Sequence, residues 1–221
     1  MLSDTPPPML VPPVPLAGIS GFVQCLEGVV TPRECHAIVA AAEASGFDRA
    51  GFYTDSSTGA PVVVESIRKS QRCIMDSAPF AAALWARIRH AVPSRLPNGL
   101  YARRLNERLR ILKYLPGDEF KPHRDGSYGT PDGTEIGQLT VLLYLNDGYV
   151  GGHTTYFNAP EDVGHPERAV PVTPAAGAVV IQDQALFHAV PPLQTGVKYA
   201  LRTEVMYGCA PIENSHHTVD K

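Results

Sequence analysis

The sequence predicts a mainly β protein of the α+β class: a double-stranded β-helix, or jelly roll, with its N-terminal helices packed outside. Three observations carry this. Short runs rich in β-branched, aromatic and leucine residues follow one another after about position 107, among them QLTVLLYL (138–145), TTYF (154–157), AVVIQ (178–182) and KYALRTEVMY (198–207). Gly-, Pro- and Asp-rich turns separate them and no helical periodicity intervenes, the pattern of an antiparallel sandwich or barrel. Both segments with helix signals lie before Pro93. The 221 residues, 44% of them hydrophobic and with a net charge of -3, suffice for one sizeable core.

In chain order, residues 1–20 read as a Pro-rich arm (MLSDTPPPMLVPPVPLAG) that lacks the backbone donors for a helix or a central strand. A polyproline ligand would share this composition, but an extended surface arm is the simpler reading. The single domain is expected over 21–209, with its jelly-roll core at about 107–207 and a frayed tail at 210–221. Thr31-Pro32-Arg33-Glu34 offers an N-cap, a proline at the first helical position and a capping-box glutamate. That helix should end at Ser45 before Gly46, with Cys35, Ile38, Val39 and Ala42 covering a sheet. The Phe47–Arg72 stretch combines a short VVVE strand with a Ser/Thr/Gly loop, the profile of a flap over a site or of a plain surface loop, equally supported. A second helix, capped by Asp76 or Ser77, runs through Phe80, Ala83, Leu84 and Ile88 and stops before Pro93, with Trp85 in or beside the core.

The run YARRLNERLRILK is basic, but the protein is acidic overall and lacks interleaved aromatics, so no nucleic-acid partner is expected. From Glu107 onward alternation places Arg108, Arg110, Leu112 and Tyr114 on one side of a strand and Leu109, Ile111 and Lys113 on the other. The four cysteines show no C-x-x-C spacing and are too few for a disulfide scaffold. There is no basic leader followed by an apolar run, and no apolar stretch near the roughly 18 residues of a membrane span. A soluble, cytoplasmic protein with reduced thiols is therefore expected, its oligomeric state open.

The segment RILKYLPGDEFKPHRD (110–125) ends in His123-x-Asp125, two residues that a strand points to the same side, so imidazole nitrogen and carboxylate oxygen can share an ion. His188 in QDQALFHAVPP offers a third ligand. Two histidines and one carboxylate on one face of an octahedral ion is the arrangement of non-haem Fe(II) oxygenases. A His-x-Asp pair by itself is common. His165-x-Glu167 is another, but it sits in a Pro/Glu/Asp loop and reads as a surface turn, while His153 is expected to face outward and Thr154 inward.

The context adds to the pair: Tyr114 in KYLPG, the strand 138–147, GGHTTYF (151–157), and His188 followed ten residues later by Lys198 in GVKYALRTEVMY. Together these resemble the catalytic domain of Fe(II)/2-oxoglutarate dioxygenases of the prolyl 4-hydroxylase type over about 107–207. Before Asn106 the likeness is limited to Arg68-x-Ser70, similar to part of that family's mobile substrate loop. The resemblance implies Fe(II) held by His123, Asp125 and His188, with 2-oxoglutarate as co-substrate, O2 as oxidant and room for ascorbate as reductant. It also implies that Lys198 and Tyr144 hold the distal carboxylate of 2-oxoglutarate, with Tyr114 nearby; a buried carboxylate needs charge pairing and hydrogen bonds, which a lysine and a phenol supply. The implied reaction is oxidative decarboxylation to succinate and CO2 coupled to hydroxylation of a substrate C–H bond. Halogenation is disfavoured because related halogenases lack the carboxylate that Asp125 supplies here. The remaining alternatives are a cupin-like metal-binding protein that is not an oxygenase, which would need no Lys198 and Tyr144 pair, and a nucleic-acid demethylase, which the net charge disfavours.

In the family's jelly roll the strand before the His-x-Asp lies antiparallel to the last strand. If Tyr114 sits near Lys198, Arg110 falls across from Arg202 and Arg108 across from Glu204, all facing inward. Like charges directly opposite are destabilising without an anion between them. Either acidic side chains from the flap or nearby loops neutralise Arg110 and Arg202, or the pair is a fork for a substrate carboxylate. The second reading points to a small carboxylate-bearing substrate, such as a free amino acid or related metabolite; a proline-containing peptide, favoured by the Arg68 loop piece, is close behind.

Overall fold

The structure is a computed structural model that describes residues 12–50 and 66–209, together with Leu2 and Val64. The first part contains β1 (Val14–Pro15), β2 (Val23–Leu26), α1 (Pro32–Ser45), β3 (Asp48–Arg49), β4 (Arg68–Lys69), β5 (Gln71–Asp76) and α2 (Ala78–Ile88). Then come β6 (Tyr101–Leu105), β7 (Arg108–Tyr114), β8 (Glu119–His123), β9 (Glu135–Tyr144), β10 (Val150–Gly151), β11 (Thr154–Phe157) and β12 (Val170–Val172). The chain closes with β13 (Val179–Asp183), β14 (Phe187–Val190), β15 (Leu193–Thr195) and β16 (Lys198–Gly208).

The larger sheet has the order β1-β2-β13-β9-β16-β7-β5-β3, with β6 also on β16; the smaller has the order β12-β11-β14-β8-β4. Every pairing is antiparallel, the ladder of a jelly roll. The proline arm enters as expected for a chain short of donors: β1 is a two-residue edge strand paired with β2. The VVVE strand apart from Val64 and most of the flap segment lie outside the described residues, as do the tail histidines.

Both helices begin and end where their caps dictate. Thr31 Oγ1 accepts from the Glu34 amide and the Glu34 carboxylate accepts from the Thr31 amide, while Gly46 at φ 86° terminates α1. Ser77 caps α2 through Phe80 N. Glu34 has a second partner: its carboxylate receives both terminal nitrogens of Arg87 on α2, at 2.8 and 3.1 Å, and the pair is buried. This ion pair ties the helices together where they press on the larger sheet.

Strand alternation divides the interior in two. Leu139, Val141 and Leu143 of β9, Leu109 and Ile111 of β7 and Leu201 and Val205 of β16 pack against Ile38, Phe80, Leu84 and Ile88 of the helices. The opposite faces of the same strands look into the space between the sheets, where Leu142, Tyr144 and Tyr156 form one cluster and Leu112, Tyr114 and Val190 another. The first face holds the fold together. The second opens into a cavity.

Candidate active site

A cavity of about 620 Å³ lies between the sheets, lined from the larger one by Arg110, Leu112, Tyr114, Leu142, Tyr144, Lys198, Ala200, Arg202 and Glu204 and from the smaller by His123 and His188. His123 is the last residue of β8, and β14 sets His188 directly across from it. Asp125 follows where the chain leaves β8, held by its amide to Gln184 O at 3.0 Å. One ligand atom from each of His123, Asp125 and His188 falls within 4.8 Å of the others, the one such group of three among the described residues. His165 pairs with Glu167 on the surface, as read from the sequence.

The side chains around this trio fix their ligand atoms. Nδ1 of His123 lies 2.8 Å from the Lys121 carbonyl and Nδ1 of His188 3.0 Å from that of Leu186, so each ring donates to the backbone and keeps Nε2 for an ion. Thr140 donates to Asp125 Oδ2 at 2.7 Å, and Arg202 Nη2 stands 3.3 Å from Asp125 Oδ1. Burial opposes ionisation of Asp125, but Arg202, both imidazoles and the Thr140 hydroxyl outweigh it and hold the carboxyl well below its usual range. Burial, aided by His188, pushes His123 down to about 3, so its imidazole is neutral at physiological pH. A charged carboxylate beside a neutral imidazole is the protonation state a divalent cation requires, so the donor set fits a metal.

Residues 109–203 match the family model described as the 2OG-Fe(II) oxygenase superfamily. Over this stretch, which is less than half of the chain, the sequence resembles 2OG-Fe(II) oxygenases. That superfamily implies Fe(II), 2-oxoglutarate and O2. Similar solved structures include a Pseudomonas putida prolyl-4-hydroxylase, at 20% identity and TM-score 0.61 over 84% of this chain and 93% of that one. Others are the Trichoplax adhaerens prolyl hydroxylase in complex with a peptide fragment of hypoxia inducible factor (18% identity, TM-score 0.60, 86% of this chain and 84% of that), and Streptomyces hygroscopicus HygX with nickel, 2-oxoglutarate and hygromycin B (15% identity, TM-score 0.54, 86% and 83%). No curated protein matches the chain. These likenesses bear out the jelly roll expected from the strand pattern.

At one side of the cavity, Lys198 is buried, with no carboxylate against it among the described residues. Its one hydrogen bond among the described residues goes to the Gly152 carbonyl at 2.6 Å, and the rings of Tyr114, Tyr144 and Tyr149 stand within 5.5 to 5.9 Å of its ammonium. Burial alone pushes this lysine down to about 7. Tyr144 is engaged with Thr154 at 2.7 Å and Tyr114 with Ser70 and Arg68. Thr154 faces the cavity, as alternation required.

Strand β4 pairs Arg68 with Phe120, and the Arg68 guanidinium lies 4.7 Å from the Phe120 ring, which in turn stacks on His123 at 3.5 Å between centroids. The Arg-x-Ser piece thus rests on the strand that carries the metal ligand.

The predicted register holds where it concerns Lys198 and Tyr114, Arg202 and Arg110, which are direct partners. Arg108 does not pair with Glu204. The β7–β16 ladder stops at Arg110, because the chain turns at Asn106 from β6 into β7; Asn106 takes the Glu204 backbone oxygen, and Arg108 is left exposed beside Asp76 at 3.6 Å. Glu204, freed from that role, places Oε1 2.8 Å from Arg202 and 3.1 Å from Arg110, with Asn106 Nδ2 on Oε2. The fork is therefore not empty: among the described residues its anion is a glutamate of β16, and Arg202 is further occupied by Asp125. Sequence reasoning placed Glu204 inward but gave it Arg108 as partner, and it missed Thr140, whose signal was its inward parity on β9. The basic run has an equally local outcome, with Arg104 paired to Glu135 and Glu107.

Proposed function

We propose that the protein hydroxylates an unactivated C–H bond of a small carboxylate-bearing substrate, a free amino acid or related metabolite, with release of succinate and CO2. The observation that carries the reading is Lys198, a buried ammonium without a counter-ion among the described residues, at the side of the cavity away from Arg110 on the β7–β16 ladder. His123, Asp125 and His188 would hold Fe(II), which when bound supplies the site for O2 activation and C–H oxidation. Lys198 receives the distal carboxylate of 2-oxoglutarate, and Tyr144 and Tyr114 line that end as hydrogen-bonding walls. Leu112, Leu142 and Val190 keep water from the space between the ligands. Arg202 and Thr140 orient Asp125. Arg110 spends one nitrogen on Glu204 and turns the rest of its guanidinium to the cavity, where a substrate carboxylate is anchored.

Hydroxylation of a prolyl peptide is the second reading. Its support is the fold shared with the prolyl hydroxylases and the position of Arg68. A single experiment separates them: the Fe(II)-loaded protein is given 2-oxoglutarate with a panel of free amino acids and of proline peptides, and succinate release is followed. Stimulation by small carboxylates supports the first reading, stimulation by proline peptides alone the second, and no succinate under any condition removes both.

A further inference from the structure

The cavity carries more positive charge than its cofactors can use. Among the described residues it is lined by Arg68, Arg72, Arg110, Arg124, Lys198 and Arg202, against two carboxylates, Asp125 and Glu204. Fe(II) brings two positive charges and 2-oxoglutarate two negative ones, so loading both leaves the balance unchanged. Even with Arg124, which is exposed, and Arg72 set aside, four withdrawn cations stand against two acids: Arg68 and Lys198 are 9% and 2% exposed, and the side chains of Arg110 and Arg202 are 18% and 16% exposed. Buried charge without compensation is costly, and a protein that keeps it in a cavity has a ligand of the opposite sign to receive.

The unspent donors show where that ligand binds. Arg110 uses only Nη1 on Glu204 among the described residues, and Nε of Arg202 is buried with no partner. These two lie side by side on the larger sheet, while Arg68 and Arg124 border the same cavity from β4 and from the end of β8 in the smaller one. Glu204 meets one charge of the Arg110–Arg202 pair, and Asp125, which Arg202 also touches, belongs to the candidate metal trio.

We infer that the substrate binds as a dianion, a dicarboxylate or a phosphomonoester, with one negative group on the Arg110–Arg202 pair and the remaining charge met by the arginines of the smaller sheet. This rests on the oxygenase reading and narrows its substrate from any carboxylate to one with two negative charges. A neutral proline peptide would leave the excess unmet.

The test uses the full chain loaded with redox-inert Ni(II) and saturating 2-oxoglutarate, into which probes of graded charge are titrated calorimetrically: glutarate and glycerol 3-phosphate as dianions, glutaramate as monoanion, glycerol as neutral control. Retention of radiolabelled 2-oxoglutarate at each end point shows that a probe has not simply displaced the co-substrate. At least one dianion is expected to bind tenfold or more tightly than glutaramate, weakening as salt is raised, with glycerol silent. R110M should reduce that affinity at least tenfold while leaving Ni(II) and 2-oxoglutarate binding within twofold. Preference for glycerol 3-phosphate over glutarate assigns a phosphomonoester, and the reverse a dicarboxylate. If Ni(II) and 2-oxoglutarate bind normally but dianions bind no better than glutaramate, or not at all, the dianion inference is overturned and the oxygenase reading stands. If Ni(II) and 2-oxoglutarate themselves fail to bind, the oxygenase reading falls first.

Discussion

Lys198 lies directly across the β7–β16 ladder from Tyr114, its ammonium 5.5 Å from the tyrosine ring and hydrogen-bonded to the Gly152 carbonyl. We propose this ammonium as the receptor for the 2-oxoglutarate carboxylate. Lys198→Ala should raise the apparent requirement for 2-oxoglutarate tenfold or more, since a charge-assisted hydrogen bond contributes about 1.5 to 3 kcal/mol. An unchanged requirement in a steady-state titration would move the role to Arg202.

The same burial makes co-substrate binding depend on pH. With Lys198 pushed down to about 7, the free enzyme loses this charge as pH rises through neutrality, and binding a carboxylate restores it. Affinity for 2-oxoglutarate should therefore be flat below about pH 7 and fall towards tenfold per unit above it, with uptake of a proton on binding. Because the lysine pKa is lowered on folding from about 10.4, the group's contribution to stability increases between about pH 7 and 10, and saturating 2-oxoglutarate should flatten that rise. Calorimetric titration in buffers of different ionisation enthalpy reads the proton directly; no uptake above pH 8 counts against a lysine receptor.

For the metal site, His123→Ala and His188→Ala should each abolish turnover and weaken Co(II) binding by orders of magnitude while leaving far-ultraviolet circular dichroism unchanged. Both side chains border the cavity rather than the core against the helices. Full activity in both purified variants would dismiss the trio.

Arg110 and Arg202 should part company. With 2-oxoglutarate saturating, Arg110→Ala is expected to lose coupled hydroxylation while uncoupled succinate formation survives, because among the described residues it pairs with Glu204 and borders the cavity without a bond to the metal trio. Arg202→Ala should also reduce metal affinity, because it frees Oδ1 of Asp125. Equal metal affinity in the two variants would separate Arg202 from the metal.

Glu34→Gln or Arg87→Met should destabilise the fold by about 3 to 5 kcal/mol without altering 2-oxoglutarate affinity, since either breaks a buried ion pair between the helices. A denaturant midpoint unchanged in both variants would show the pair to be dispensable.

What was legible in the sequence follows from how locally each feature is encoded. The caps of α1 and α2, the alternation of β7 and β9 and the His-x-Asp at the end of β8 are set by residues within a few positions of one another, and each could be read. The register of β7 against β16 was legible through one pair, Lys198 with Tyr114, because strand parity carries the rest. It failed one step further, at Arg108, where the turn at Asn106 ends the ladder. β2, β5 and β6 were not read as strands: β6 carries two arginines whose partners, Glu107 and Glu135, lie beyond it, so its composition looked like a basic surface. The Glu34–Arg87 pair joins residues 53 positions apart and has no sequence signature.

The alternation of β16 assigns its neighbouring residues to separate tasks. Leu201 and Val205 are fully buried against the helices, while Lys198, Ala200, Arg202 and Glu204 face the cavity. A scan of every substitution along this strand should thus show two interleaved phenotypes: odd positions at which cellular abundance drops, and even positions at which the protein accumulates normally but is silent. Selection can rework the even set to admit a new substrate without endangering the fold. A one-residue insertion ahead of Lys198 has no such latitude, since it would turn Arg202 towards the helices and Leu201 towards the cavity.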